Sequence, residues 1–265
     1  MGPRAILSQN ENAQFSYIAR ASTDGPTIVK FGTVVPSNAS RDIPVVQTTV
    51  SVIDATTGSV KLFLDGEAVT KWRTVCASMA AAKELSNPVK KIAVIGVGHQ
   101  GAAHLLAAKH IFKPERIIGI DRDLKKSDLG IEITQDIQAA YDCDLIFICT
   151  NSQEPVINSA LNSGSTCISI GSFAPDRLEV SVSALSKADK VFGDDAKTIS
   201  EQSGSVVKTL ENYERSWQYP QSIGGVYAGK IKGRENKEQV IYYFSVGLGI
   251  QDAALAEFIL ANGKF

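Results

Sequence analysis

A chain of 265 residues, 44% hydrophobic and 21% charged, is long enough to bury a large core as one large domain or two medium ones, with no need of disulfides or a metal. Its 27 Lys and Arg against 28 Asp and Glu leave a net charge of −1, which excludes the cationic field of a dedicated nucleic-acid binder and a polybasic membrane anchor. The four cysteines (Cys76, Cys143, Cys149, Cys167) are scattered without a CxxC pair, and with only three histidines they support neither a disulfide framework nor a metal site. The apolar runs are too short to span a membrane. The opening Met-Gly-Pro-Arg lacks signal-peptide and myristoylation patterns, so a reduced, cytoplasmic protein is expected.

Residues 1 to about 64 read as strands. Tyr17-Ile-Ala, Thr27 to Phe31, Val45 to Ile53 and Val60 to Leu64 form the set, and Asp54 to Ser59 is a hairpin turn in which Gly58 supplies positive φ. From about 66 to 85 the apolar period becomes helical (Val69, Trp72, Val75, Cys76, Met79, Ala80), and Asn87-Pro88 stops the helix. Beyond Lys90, apolar runs alternate with amphipathic stretches. Ile92 to Ile95, Arg116 to Ile120, Leu145 to Cys149, Thr166 to Ile170 and Lys190 to Phe192 predict a parallel sheet covered on both faces. The short gap between Asp121 and Ile131 predicts a shortened or absent second helix. Residues 214–236 read as a long connection, and Gln239 to Leu260 as a helix or helix pair bent at Gly247-Leu-Gly.

The chemistry concentrates in Gly96-Val-Gly-His-Gln-Gly101, which follows a buried-type strand and opens a helix. Gly96 permits the tight turn, Gly98 lets a pyrophosphate approach the backbone, and Gly101 lets helix and strand pack closely. The N–H groups of the helix end, including that of His99, then bind phosphate. The second strand ends on Asp121, twenty-five residues after Gly96, where a ribose hydroxyl belongs. An acid there favours NAD, while Arg122 leaves NADP open. Thr150, Asn151 and Ser152 after one strand, and Ile170 and Gly171 after another, are expected to contact the nicotinamide ribose.

Several further segments resemble the ornithine cyclodeaminase/mu-crystallin family. Asp65-Gly-Glu-Ala-Val-Thr-Lys-Trp-Arg-Thr-Val-Cys-Ala-Ser is similar to its DG and T..RT.A.S pattern, and Gly96 to Gln100 to its G.G.Q turn. Ser169 to Glu179 resembles its IGs..P..rE segment, Ala228 to Arg234 its aGk..GR segment, and Ser245-Val-Gly to Asp252 its SvGla..D helix. The resemblance implies a Rossmann-type doubly wound α/β domain over 88–224. It also implies an α+β substrate-binding and dimerisation domain built from 1–87 and 225–265. Arg4, Lys30 and Arg73 would clamp a substrate carboxylate, with Lys30 as proton donor and Asp252 either orienting the clamp or capping a neighbouring backbone group, and Ser245, Val246 and Gly247 would join the cofactor site.

Two departures shape the expectation. Where cyclodeaminases carry an Asp after the IGs strand, this chain has Phe173, an apolar wall that cannot move protons. The sequence also starts almost on Arg4, where family members carry an N-terminal helical segment; either this is a shortened member or this start is not the natural one, and a missing helix would expose part of the substrate domain or its dimer surface. The expected protein is a homodimeric NAD(P)-dependent oxidoreductase that reduces the imine of a 2-oxo acid, or oxidises the amino acid. Ornithine-type cyclodeamination and non-catalytic ligand binding are the alternatives.

Overall fold

The computed structural model describes residues 5–124, 130–213 and 219–263; Arg4 lies outside them. The chain forms two compact units, one from the residues up to Thr74 together with those from Leu248, the other Val75–Gly247.

The first unit is an antiparallel meander of β1 (Ala5–Gln9), β2 (Asn12–Arg20), β3 (Thr27–Val34), β4 (Val46–Ile53) and β5 (Val60–Asp65), in that order. Alternation sends Tyr17, Ala19, Ile28, Val50 and Val52 to the buried face, where they pack with Ala253 and Ala256 of the C-terminal helix Gly249–Asn262. The β4–β5 turn closes as expected. Asp54 accepts hydrogen bonds from the main chain of Thr56 and Thr57, and Gly58 sits at φ +72°.

Helix α1 (Gly66–Leu85) opens with Asp65 accepting from the Ala68 N–H. The boundary between the units falls inside this helix at residue 75, not after 87. Val75, Met79, Ala81, Ala82 and Leu85 are buried in the core of the second unit, and that burial decides where they belong.

The second unit is built on β6 (Lys91–Ile95), α2 (His99–Phe112), β7 (Arg116–Ile120), β8 (Glu132–Thr134), β9 (Leu145–Ile148) and β10 (Thr166–Ser169). There follow α3 (Val182–Leu185), β11 (Lys190–Gly193), α4 (Ala196–Gln202), α5 (Gly204–Tyr213), β12 (Gln221–Ser222), α6 (Ile223–Tyr227) and β13 (Ile241–Phe244). Its eight strands are all parallel in the order β12-β11-β13-β10-β9-β6-β7-β8. The order reverses between β6 and β9, the place where ligands bind in doubly wound sheets. Buried strand residues divide by alternation. Ile92, Val94, Leu145 and Phe147 pack with α1 and α2, and Ala93, Ile95, Ile146 and Ile148 with α3, α4 and α5. Each such Ile or Leu contributes roughly 1.5–3 kcal/mol on burial.

The stretch from Gln239 is corrected by the structure. Ile241–Phe244 is a strand inserted between β10 and β11, its four residues buried on both sides, and the helix starts only at Gly249. A β-branched and aromatic run flanked by sheet on two edges does better extended than coiled. It also puts residues 225–247 in the second unit, where Arg234 donates to the main-chain oxygens of Leu85, Gln239 and Ser165 and so pins the connection. Among the described residues no helix is long and apolar enough to cross a membrane.

Candidate functional site

At the carboxyl ends of β6, β7, β9 and β10 lies a cleft of about 700 Å³. The turn after β6 forms its middle. Gly96 holds φ +84° and donates to the Ile120 oxygen, and Gly101 packs against the Gly96 carbonyl so closely that a Cβ there would lie 1.8 Å from that oxygen. Gly98 begins α2 with no side-chain cap, and the space its own Cβ would fill is open. An uncapped fourteen-residue helix start beside open space is a fitted site for a pyrophosphate.

At one end Asp121, Arg122 and Gln135 line the cleft. Asp121 accepts from the Val97 N–H at 2.6 Å and the Asp123 N–H at 2.9 Å, which locks its carboxylate against the glycine turn. At the other end stand Cys149, Thr150, Asn151, Ser152, Ile170, Gly171 and Phe173. Phe173 is 48% exposed, with the Arg177 guanidinium 5.7 Å from its ring centroid, and Arg177 also donates to the Asn151 carbonyl oxygen.

This end rests on a buried carboxylate. Glu179 is fully buried and accepts from the Thr150 N–H and hydroxyl, the Ser169 hydroxyl and the Gly171 N–H at 2.6–2.8 Å. Burial pushes its pKa up to about 7, against these four hydrogen bonds, which favour the charged form. Behind α2's first turn, His104 is also fully buried. Its Nδ1 donates to the Gln100 oxygen and its Nε2 accepts from the Ser78 hydroxyl, and burial lowers its pKa to about 4.

These two groups act on stability with opposite signs. The folded state leaves His104 neutral where the unfolded chain protonates it, so stability falls as pH drops from about 6.5 towards 4. Glu179 holds a proton that the unfolded chain releases, so stability falls as pH rises from about 4.5 to 7. Chemical denaturation of the parent and His104→Gln across this range isolates the first effect. The parent should lose about 3 kcal/mol relative to the variant between pH 6.5 and 4. A constant difference would refute it.

The first unit holds a second polar cluster. Lys30, opposite Tyr17 across β2 and β3, is 3% exposed and donates to Asp252 Oδ1 at 2.8 Å and to Thr70 Oγ1 at 2.5 Å. Tyr17 donates to the other Asp252 oxygen at 2.9 Å. Arg73 Nε lies 3.8 Å from Asp252 Oδ1, and its Nη1 donates to Gln251 at 2.7 Å. Asp252 itself sits in the first turn of the C-terminal helix, α7, where the helix dipole favours a carboxylate. Two cations against one carboxylate leave the cluster with a formal charge of +1, suited to an incoming carboxylate.

The cleft thus gathers Gly96, Gly98, His99, Gln100, Asp121, Arg122, Thr150, Asn151, Ser152, Ile170, Gly171 and Phe173. Gly101 stands behind it as a packing residue. Ser245, Val246 and Gly247 are not among its lining residues; Asp194 accepts from the Ser245 hydroxyl and from the N–H groups of Val246 and Gly247 at 2.8–3.1 Å. Arg73 and Asp252 are part of the buried cluster with Lys30. Tyr17, Gln135, Ile137 and Gln251 carry no sequence marker of their roles. Glu179 does, since it closes the P..rE segment.

The model of the ornithine cyclodeaminase/mu-crystallin family matches residues 3–264. A Delta(1)-pyrroline-2-carboxylate reductase of Bacillus cereus is 26% identical over 245 residues, covering 87% of this chain and 75% of the relative. The alanine dehydrogenase of Archaeoglobus fulgidus is 30% identical over 240 residues, covering 86% and 74%. Among solved structures, an archaeal alanine dehydrogenase dimer with bound NAD superposes with a TM-score of 0.87 at 26% identity, covering 99% of this chain and 84% of that one. With the family model running over residues 3–264, which take in the glycine turn, the acid after β7 and both partners of the Lys30–Asp252 pair, the chain belongs to the ornithine cyclodeaminase/mu-crystallin family.

Proposed function

We propose that the protein is an NAD(H)-dependent oxidoreductase that reduces the imine of a 2-oxo acid to an amino acid, or runs the reaction in reverse. The observation that carries this reading is the cleft at the point where the strand order reverses, with an uncapped helix end at its centre and an acid at one side. In it the α2 N–H groups hold the pyrophosphate, Asp121 the adenosine ribose, and the loops after β9 and β10 the nicotinamide end. The dinucleotide supplies a hydride for the imine carbon. Lys30 and Arg73 hold the substrate carboxylate, and the Lys30 ammonium gives the imine nitrogen its proton, with Asp252 and Thr70 fixing its position. Phe173 keeps water from an imine that would otherwise hydrolyse.

The same residue argues against cyclodeamination. The cleft's one described lining carboxylate is Asp121, and its oxygens accept from Val97 and Asp123. NADH should therefore be consumed one for one with a cyclic imino acid such as Δ1-pyrroline-2-carboxylate, and ornithine should release no ammonia. Ammonia release without net oxidation of NADH would replace this reading with the cyclodeaminase one.

The family relatives and the outer face of the β1–β5 sheet support a homodimer. A cross-strand row of Ile18, Val29, Ser51 and Phe63, flanked by Phe31, lies on the face opposite the core, and Ile18, Phe31 and Phe63 are exposed. Sedimentation equilibrium on the assayed protein should give twice the chain's 28.4 kDa.

A further inference from the structure

We propose that Glu179 is a positioning residue whose buried carboxylate clamps together the two loops at the nicotinamide end of the cleft and biases the site towards the oxidised dinucleotide. The inference rests on the reading of the cleft as a dinucleotide site.

The geometry is that of a clamp. One carboxylate oxygen takes both the N–H and the hydroxyl of Thr150, the first residue after Cys149 at the end of β9. The other takes the Ser169 hydroxyl and the Gly171 N–H at the end of β10. Gly171 shows how tightly the loops are drawn together: a Cβ there would lie 1.8 Å from the Thr150 oxygen and 2.4 Å from Glu179 Oε1. The main chain of Glu179 is held in turn. Its oxygen accepts from Val156 and Ile157, and the Ser205 hydroxyl accepts from its N–H at 3.2 Å. Ser205 joins Ser172 and Ser203 in a buried hydroxyl network beneath the 170–179 loop. Every donor on the carboxylate is neutral.

Among the described residues its hydrogen-bond partners include no cation. The titratable groups that face it are Cys149, after β9, and Cys167, on β10, whose thiols burial holds well above the ordinary range. Arg177, two residues earlier, spends its guanidinium on the Asn151 oxygen and the Phe173 ring. Oxidised nicotinamide carries a positive charge that the reduced ring lacks. An anion under that end of the cleft therefore attracts the oxidised form more strongly, and the attraction vanishes when the carboxyl is protonated. With burial pushing the Glu179 pKa up to about 7, the bias turns on as the pH rises through that value.

Direct binding tests this without turnover. The affinities for NAD+ and NADH are measured by tryptophan fluorescence or calorimetry at pH 5.5, 7 and 8.5. In the parent the preference for NAD+ over NADH should grow on the order of tenfold from the lowest to the highest pH. In Glu179→Gln the preference should be lower and flat with pH. Ser169→Ala, which deletes one donor to the charged form from a buried residue outside the cleft lining, should move the midpoint of the parent's curve to higher pH. A residue that merely filled space would not move it, and this variant decides the matter if Glu179→Gln does not fold. A parent whose preference is independent of pH, or a Glu179→Gln curve that overlays the parent's, overturns the proposal. Failure of the parent to bind either dinucleotide overturns the reading of the cleft instead.

Discussion

Alanine in place of Gly101 should weaken NADH binding by at least about a hundredfold, close to 3 kcal/mol. The added Cβ would lie 1.8 Å from the Gly96 carbonyl oxygen, a main-chain atom that cannot rotate away. Gly96 is anchored by its own N–H to the Ile120 oxygen at 2.8 Å and holds a positive φ that another residue would resist. The strain can only be relieved by lifting the start of α2 off β6. That moves the N–H groups at the middle of the cleft, and these are the groups that would meet the pyrophosphate. Titration of the variant with NADH, with circular dichroism to verify the fold, measures the effect. Affinity within a few-fold of the parent would mean that the turn does not bind the pyrophosphate.

Lys30→Met should be damaging in two separable ways. Asp252 is 1% exposed, and without Lys30 its carboxylate keeps the Tyr17 hydroxyl and the more distant Arg73. Stranding a buried charge costs about 3–5 kcal/mol. Turnover with a cyclic imino acid should fall by on the order of a thousandfold, since both a carboxylate contact and a proton donor are gone. Pairing the change with Asp252→Leu removes the stranded charge, so stability should largely return while activity does not. Denaturation midpoints and initial rates on the two variants and the parent make the comparison. Recovery of activity in the pair would sink the role given to Lys30.

Where a local rule acted alone, the sequence was legible. Gly96, Gly98 and Gly101 are required by a turn of six residues, and Asp121 follows from counting to the end of the next strand. The helix over 66–85 and the hairpin at Gly58 rest on composition within a single segment. Reading failed where the deciding partner is remote. Ile241–Phe244 is apolar enough for either helix or strand, and only the presence of β10 and β11 on its two sides makes it extended. The bonds that hold Ser245, Val246 and Gly247 come from Asp194, on the end of another strand, a partner that no local pattern announces. Tyr17 looks like any strand tyrosine, because its function comes from Asp252, 235 positions later. Glu179 had a marker in the P..rE segment, but what it holds together could not be read from the chain.

The separation of Lys30 from Asp252 by 222 positions has a consequence for synthesis. During translation β1 to β5 emerge early, yet Asp252, Ala253 and Ala256 follow only after the whole second unit. The intervening unit is continuous in sequence and can fold as it appears. The meander must wait with an uncovered apolar face and with Lys30 lacking its Asp252 contact, and its closure is the step on which the order of folding turns.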